Sequence, residues 1–274
     1  MMRRRNFQGQ VVLISGAAGG LGAALCRRYG VAGSLIAAMD LDAARLDALV
    51  RTLAQSGAQA LALPGDITDP VACKMAVAAT LAHFGRLDGL INNAGISHRS
   101  LLRDTDPGVI RRVMEVNFFG ALHLTHAALP HVTAQRGFIV AISSVAGFSP
   151  LVGRTGYAAS KHALLGFFDS LRCEVEASGV SVTLVCPSFI RTGIGAAGLG
   201  GDGSTVSSPR ITSGGESTAE DIAQRIFVAV AGNRRFLLPD RTSRLAWWFS
   251  RLAPGLYARA MKRRLGVEFE ALPR

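Results

Sequence analysis

The sequence predicts an α/β protein folded as one large domain, with a helical extension at its C-terminal end. Three observations carry that reading. Short apolar, β-branched runs alternate with longer helical runs along the chain. The first strand-like run passes through a glycine-rich turn straight into a helical run. The length, 274 residues, suffices for one α/β domain with a well-buried core and not for two full domains.

Val11 to Ser15 reads as a buried strand, followed by "GAAGGLG" and a helical run from Leu21 to Val31. Gly16, Gly20 and Gly22 permit a tight turn, close approach of a diphosphate to backbone N–H groups and close helix packing, and the helix N-terminus favours the negative charge. A second strand, Ser34 to Met39, ends at Asp40, 24 residues past Gly16 and near the distance of a ribose-binding acid. A carboxylate there accepts from the adenosine 2′-hydroxyl and repels a 2′-phosphate, which argues for NAD over NADP. The competing role for Asp40 is to cap the helix beginning near Asp42.

Ala58 to Leu63 makes a third strand with Asp66 at its end, and Thr68 or Asp69 caps a helix that has Pro70 in its first turn. A fourth strand, Leu87 to Ile91, runs into "NNAG", where Asn92 and Asn93 hold a tight turn and Gly95 lets backbone approach a ligand. Asp106-Pro107 caps another helix, and a further helical run carries Asn117 in "EVNFFG". His123, His126 and His131 lack acidic or thiol partners and read as a solvated helix face, so no metal site is expected.

Phe138 to Ile142 is apolar and β-branched, the residues after Tyr157 suit a helix, and the loop between them carries Ser143 and Ser144. A strand-end serine can therefore face a helix-borne tyrosine. Tyr157 and Lys161, four apart, share one helix face. A phenol of pKa about 10 is a poor acid or base at neutral pH, and a nearby cation favours its phenolate. The set suits proton transfer to or from a carbonyl or alcohol oxygen. Among 30 basic residues only Lys74, Lys161 and Lys262 are lysine, so a chain that otherwise writes arginine has a compact, rotatable charge here. Taken alone, Tyr-x-x-x-Lys reads as an ordinary amphipathic helix start with a surface lysine.

The ordered set "SGAAGGLG", Asp40, Asp66, "NNAG", Asn117, "SSVAG", "YAASK" and "PSFIRT" resembles the short-chain dehydrogenase/reductase family over roughly residues 9–240. The resemblance implies a single doubly wound Rossmann domain with a seven-stranded parallel sheet. It implies Tyr157 as general acid/base and Ser144, 13 residues earlier, as the group that positions and polarises the substrate oxygen, with Ser143 the lesser choice. Lys161 would bind the nicotinamide ribose and lower the tyrosine pKa, and Asn117 would help hold a water in the proton relay. The dinucleotide would meet Ser15, Gly16, Gly20, Leu21, Gly22, Asp40, Asp66, Ile67, Asn93, Ala94 and Gly95, then Tyr157 and Lys161, and finally Pro187, Ile190 and Thr192 after the sixth strand. Ser15 replaces the family's usual threonine but keeps the hydroxyl, and Ser188 replaces a usual glycine. Gly19 stands where many NADP-using relatives carry a basic residue, in agreement with Asp40.

Thr192 to Ser217 contains eight glycines and little periodicity, and at this position the family places a mobile substrate lid. Thr218 to Ala231 reads as a helix and Arg235 to Leu238 as a last short strand. Residues 241–274 then form a basic, aromatic tail. Leu245, Trp248, Phe249 and Leu252 follow i, i+3, i+4, i+7 spacing, and a second helical run after Pro254 ends in Lys262, Arg263 and Arg264. Such a segment can lie on an anionic membrane surface, pack on its own domain or form a subunit interface.

The net charge of +11 is concentrated at the ends: residues 1–5 carry three arginines, and residues 232–274 carry ten basic and three acidic groups. The body between them holds 17 basic and 16 acidic groups, and no stacking platform accompanies the arginines, so nucleic acid is not an expected partner. Met1 to Cys26 imitates a secretion signal, but four glycines cut its apolar run. Cys26, Cys73, Cys173 and Cys186 are scattered among apolar neighbours and read as reduced core thiols of a cytoplasmic protein.

These residues together predict an NAD(H)-dependent oxidoreductase acting on a lipophilic secondary alcohol or its ketone, as a homodimer or homotetramer with a peripheral membrane contact through 241–265. The alternatives are an NADP-dependent 3-oxoacyl-acyl-carrier reductase, disfavoured by Asp40, Gly19 and the tail, and a non-catalytic NAD-binding module, which has no need of the Tyr157 phenol.

Overall fold

The computed structural model describes residues 4–192, 198–206 and 215–265. Its frame is a parallel sheet of seven strands: β1 (Val11–Ser15), β2 (Leu35–Asp40), β3 (Ala60–Pro64), β4 (Gly89–Asn92), β5 (Phe138–Ile142), β6 (Ser181–Val185) and β7 (Phe236–Leu237). The spatial order is β3-β2-β1-β4-β5-β6-β7. The chain starts in the middle, runs out to one edge and returns to build the other. Successive side chains of a strand point to opposite faces, so β1 sends Val12 and Ile14 into one apolar layer and Val11 and Leu13 into the other. β5 divides likewise, with Phe138 and Val140 on one side and Ile139 and Ala141 on the other. A sheet apolar on both faces must be covered on both.

One layer is roofed by α1 (Gly20–Val31), α2 (Ala43–Gln55) and α7 (Ala219–Ala231), the other by α3 (Pro70–Phe84), α5 (Gly120–Ala134) and α6 (Thr155–Val175). The caps follow the chemistry expected of them. Asp42, not Asp40, caps α2 by accepting from Arg45 N at 3.0 Å. Asp69 caps α3, whose first residue is Pro70, and Asp106 caps α4 (Pro107–Met114). Asn117 lies in a π-helical turn, Glu115–Phe119, between α4 and α5. That wide turn is a departure from the plain helix expected there, and such turns cluster at functional sites.

Strand ends differ slightly from the sequence-based expectation, with β4 beginning at Gly89 rather than Leu87 and β3 at Ala60 rather than Ala58. Gly89 has no room for a side chain, because a Cβ would stand 2.2 Å from the Phe138 ring on the neighbouring strand. Cys26, Cys73 and Cys186 are buried thiols, whereas Cys173 is exposed on the solvent face of α6 and corrects the expectation of four core thiols. Of the glycine-rich loop expected about 192–217, residues 193–197 and 207–214 lie outside the described residues, as does 266–274 of the tail. The described tail forms α8 (Arg241–Leu252) and α9 (Pro254–Leu265).

Candidate active site

Where the order of strands reverses, between β1 and β4, connections leave in opposite directions and open a crevice beyond the carboxyl ends of the strands. A cleft of about 1240 Å³ occupies that place. Every expected catalytic or cofactor-binding residue lines it except Asn117.

The wall above β1 is backbone. Gly16 turns with φ +63°, and a Cβ on it would stand 2.8 Å from Ala94 Cα. A Cβ on Gly22 would stand 2.0 Å from Gly16 O, so only glycine lets the first turn of α1 sit on the loop. Gly20 is needed for another reason, since its Cβ would meet the Thr192 side chain at 2.9 Å. Among the described residues no side chain caps α1 at Gly19, and its positive end faces the cleft. Ser15 Oγ, buried, accepts from the N–H groups of Asn93 and Ala94 at 3.1 Å each, and Asn93 Nδ2 donates back to Ser15 O and Gly16 O at 3.0 Å. The loops after β1 and β4 are thus stitched together.

Asp40 ends β2 at the cleft. Its Oδ2 accepts from Ala18 N at 2.9 Å and its Oδ1 from Asp42 N at 3.1 Å. An ionised carboxylate has about four acceptor positions, so two remain for a ligand. Arg45, which the sequence did not flag, donates to Ala18 O at 3.0 Å from the same rim. Asp66 Oδ1 takes both the N–H and the hydroxyl of Thr68 at 2.8 Å, which fixes the turn carrying Ile67.

At the other end of the cleft, Ser143 and Ser144 part company. Both border the cleft, but Ser143 is buried and donates to Lys161 O at 2.9 Å, while Ser144 is half-buried and accepts from Ala146 N at 3.1 Å. Of the two, Ser144 is the more open to the cleft. Lys161, buried on α6, donates to Ile142 O at 2.9 Å, and its ammonium lies 5.7 Å from the centre of the Tyr157 ring. Burial pushes the lysine down to about 8, so at neutral pH it is still largely charged. Cys186, beside it, is pushed up to about 12 by burial and stays a thiol. Asn117 sits beneath the floor: its Oδ1 accepts from Ile96 N at 2.8 Å, and its Nδ2 donates to Ile96 O at 3.0 Å and Ser160 Oγ at 2.9 Å. Its side chain ties the β4 loop to α6 and leaves one acceptor position uncommitted.

The remaining wall belongs to the tail. Leu245, Phe249, Tyr257 and Met261 of α8 and α9 line the cleft beside Leu151 and Phe189. Asp240 holds this wall in place: it caps α8 by accepting from Ser243 N at 2.7 Å and also accepts from Ser188 N at 3.0 Å and Ser188 Oγ at 2.7 Å. The serine at 188 therefore has a purpose that a glycine could not serve. Tyr257 OH shares a 3.1 Å bond with Ser149 Oγ, and Trp247 packs between Phe148 and Phe236 at 4.9 and 4.7 Å. The signal for this wall was present in the sequence as the Trp-rich run, but nothing in its spacing said which side of it meets the domain.

The fold, the glycine loop and the Ser, Tyr, Lys constellation define a nicotinamide-type Rossmann protein, and the chain belongs to the short-chain dehydrogenase/reductase family of oxidoreductases, whose short chain dehydrogenase profile matches residues 10–198. Among its relatives is the mouse (Mus musculus) protein named dehydrogenase/reductase SDR family member 7B, 39% identical over 265 residues that cover 94% of this chain and 82% of that one. The Arabidopsis thaliana protein named 11-beta-hydroxysteroid dehydrogenase-like 2 is 36% identical over 189 residues, covering 68% of this chain and 61% of that one. A short chain dehydrogenase/reductase from Burkholderia phymatum, solved in complex with NAD, superposes with a TM-score of 0.78 at 25% identity over 98% of both chains.

Proposed function

We propose that the protein is an NAD(H)-dependent enzyme that interconverts a lipophilic secondary alcohol and its ketone. The observation that carries this is the sharing of one cleft by the backbone cradle above β1, the Asp40 carboxylate and the Ser144, Tyr157, Lys161 set. The residues fit a dinucleotide: a Cβ-free loop under an uncapped helix end suits a diphosphate, and the two open acceptor positions of Asp40 suit ribose hydroxyls. A 2′-phosphate at the same carboxylate would be repelled, which favours NAD over NADP. The Burkholderia phymatum relative was solved with NAD, in line with this choice.

Bound NAD(H) supplies the hydride acceptor or donor. The chain's own groups handle the proton. Ser144 Oγ, its lone pair toward Ala146 N, keeps its hydroxyl hydrogen for the substrate oxygen and orients it toward the Tyr157 phenol. Tyr157 gives a proton to that oxygen in reduction and takes it in oxidation. The Lys161 ammonium stabilises the phenolate form, and Ile142 O, which accepts from it, fixes its position. Asn117 acts as a positioning residue by fixing the β4 loop against α6. The apolar wall of Leu151, Phe189, Leu245, Phe249 and Met261 supports a lipophilic substrate, as does the hydroxysteroid name of the Arabidopsis relative. Purified protein given NAD and, in turn, steroid, retinoid, long-chain and polyol alcohols should form NADH with one of the first three. Preference for polyols, or a higher kcat/KM with NADP, would overturn the substrate class or the cofactor respectively.

A further inference from the structure

We infer that the outer face of α8 and the start of α9 is a docking surface for an anionic lipid bilayer, through which the cleft takes its substrate. The inference rests on the proposed lipophilic substrate only for the second half; docking itself is read without turnover. Two sides of α8 have opposite fates. Ala246 and Ser243 are buried against the domain and Trp247 is packed under Arg251, whose guanidinium lies 3.1 Å from the indole centre. The other side is apolar and open to solvent: Leu245 is 68% exposed, Trp248 61%, Phe249 41% and Leu252 77%, continued by Leu256 of α9 at 57%. Contiguous exposure of this kind marks an interaction surface.

Charge chooses the occupant. Between Arg241 and Leu265 stand seven arginine or lysine residues and no carboxylate. A second copy of the chain docked face to face would bring two such clusters together, whereas a bilayer with anionic headgroups meets them with opposite charge. At 12 residues α8 is about 18 Å long, against a hydrocarbon core of about 30 Å, so it suits lying in the interface plane with its apolar side down. Leu245 and Phe249 are at once exposed on this face and part of the cleft wall. The rim of the cleft and the docking face are therefore continuous, and a lipid-soluble alcohol passes from one to the other without crossing water.

The test uses the full chain and vesicles of phosphatidylcholine with or without phosphatidylserine, followed by sedimentation and tryptophan emission. Expected are pelleting with the phosphatidylserine vesicles, a blue shift of emission, and loss of both at high salt, where screening is short-ranged. The triple variant Trp248→Gln, Leu252→Gln, Leu256→Gln changes exposed residues outside the cleft lining and should bind about tenfold or more weakly with an unchanged Tm. Arg259→Gln, Lys262→Gln and Arg263→Gln should weaken binding about fivefold per charge. No pelleting, pelleting that neither variant weakens, or a dimer in solution that the first variant dissociates would overturn the proposal. Because vesicle binding needs no catalysis, an inactive protein that still docks refutes the proposed reaction and not the surface.

Discussion

The two walls of the cleft are built from different materials. Above β1 and β2 the wall is main chain, shaped by Gly16, Gly20 and Gly22 and pinned by Ser15, Asn93 and Asp40. Across from it the wall is side chain, with Leu245, Phe249, Tyr257 and Met261 carried on two helices that hang from Asp240. Backbone walls read what every dinucleotide has, a diphosphate and a ribose. Side-chain walls read what distinguishes one substrate from the next, and they change without disturbing the sheet. Between the two stand Ser144, Tyr157 and Lys161.

The largest effect expected comes from that shared middle. Tyr157→Phe removes the proposed proton donor and should lower kcat by about a hundredfold or more. NADH affinity, measured by fluorescence, should change little, because the walls are intact. A variant that keeps most of its activity would show that another group moves the proton.

Next come the walls themselves. Gly22→Ala places a methyl 2.0 Å from Gly16 O, a main-chain atom that cannot step aside, so a loss of about 1–3 kcal/mol of stability is expected together with weakened NAD binding. Gly255→Ala is the matched control in the other wall, where a Cβ would meet nothing within 4 Å. It should be neutral or slightly stabilising, as helical glycines replaced by alanine usually are. Similar losses in both variants, measured by denaturant unfolding, would erase the distinction between the walls.

This contrast also explains what the sequence could disclose. A backbone wall needs particular residue types at particular spacings, so the glycine loop, Asp40 and "NNAG" were visible in the chain, as was the Tyr-x-x-x-Lys pair between the walls. The strands were visible too, as short continuous apolar runs, but such runs are buried on both faces and do not say which side chain enters which layer. The other wall left a weaker trace. Leu245, Trp248, Phe249 and Leu252 announced an apolar face, but which face of α8 meets the domain is settled by Asp240 reaching Ser188, 52 residues away in the chain, and by Trp247 finding Phe148 and Phe236. The π-helical turn at Asn117 was equally hidden: within it one amide serves both Ile96 and Ser160, partners set by the tertiary fold and not by local spacing.

Two buried bases extend the comparison to pH. Lys161 is held down to about 8 from 10.5, and His98, buried beside Gly156 with neither ring nitrogen hydrogen-bonded among the described residues, is held down to about 4 from 6.5 by burial and then by Arg154. In each case the unfolded chain binds more protons between the two values, so folding stability rises with pH across the window. For His98 the window is 4 to 6.5: stability is lost on acidification through it. His98→Phe should flatten that part of the Tm profile relative to the parent. For Lys161 the cost of burying the charge is present below about 8 and is relieved above it, yet the charge is what the phenolate needs. Reduction should therefore slow as pH rises through about 8 even while the fold gains stability. Activity that climbs with stability across that range would separate Lys161 from the proton transfer.

The smallest effect tests whether the tail wall acts on substrate alone. Tyr257→Phe deletes the hydroxyl that meets Ser149, and burial, opposed by that bond, holds the Tyr257 phenol above its ordinary pKa, so no charge is lost with it. Ser149 keeps its bond to Val145 O at 2.9 Å and is not orphaned, which places the cost at the low end for a buried hydrogen bond, about 0.5–1 kcal/mol. The ring still packs edge-on against Phe249 at 5.7 Å. Loosening α9 by that amount should raise the KM for a lipophilic alcohol severalfold, with kcat and the KM for NAD unchanged, because the partners Ser149 and Phe249 of Tyr257 lie away from the glycine loop. A matching rise in the KM for NAD would mean that the two walls move as one body, and the division between them would have to be given up.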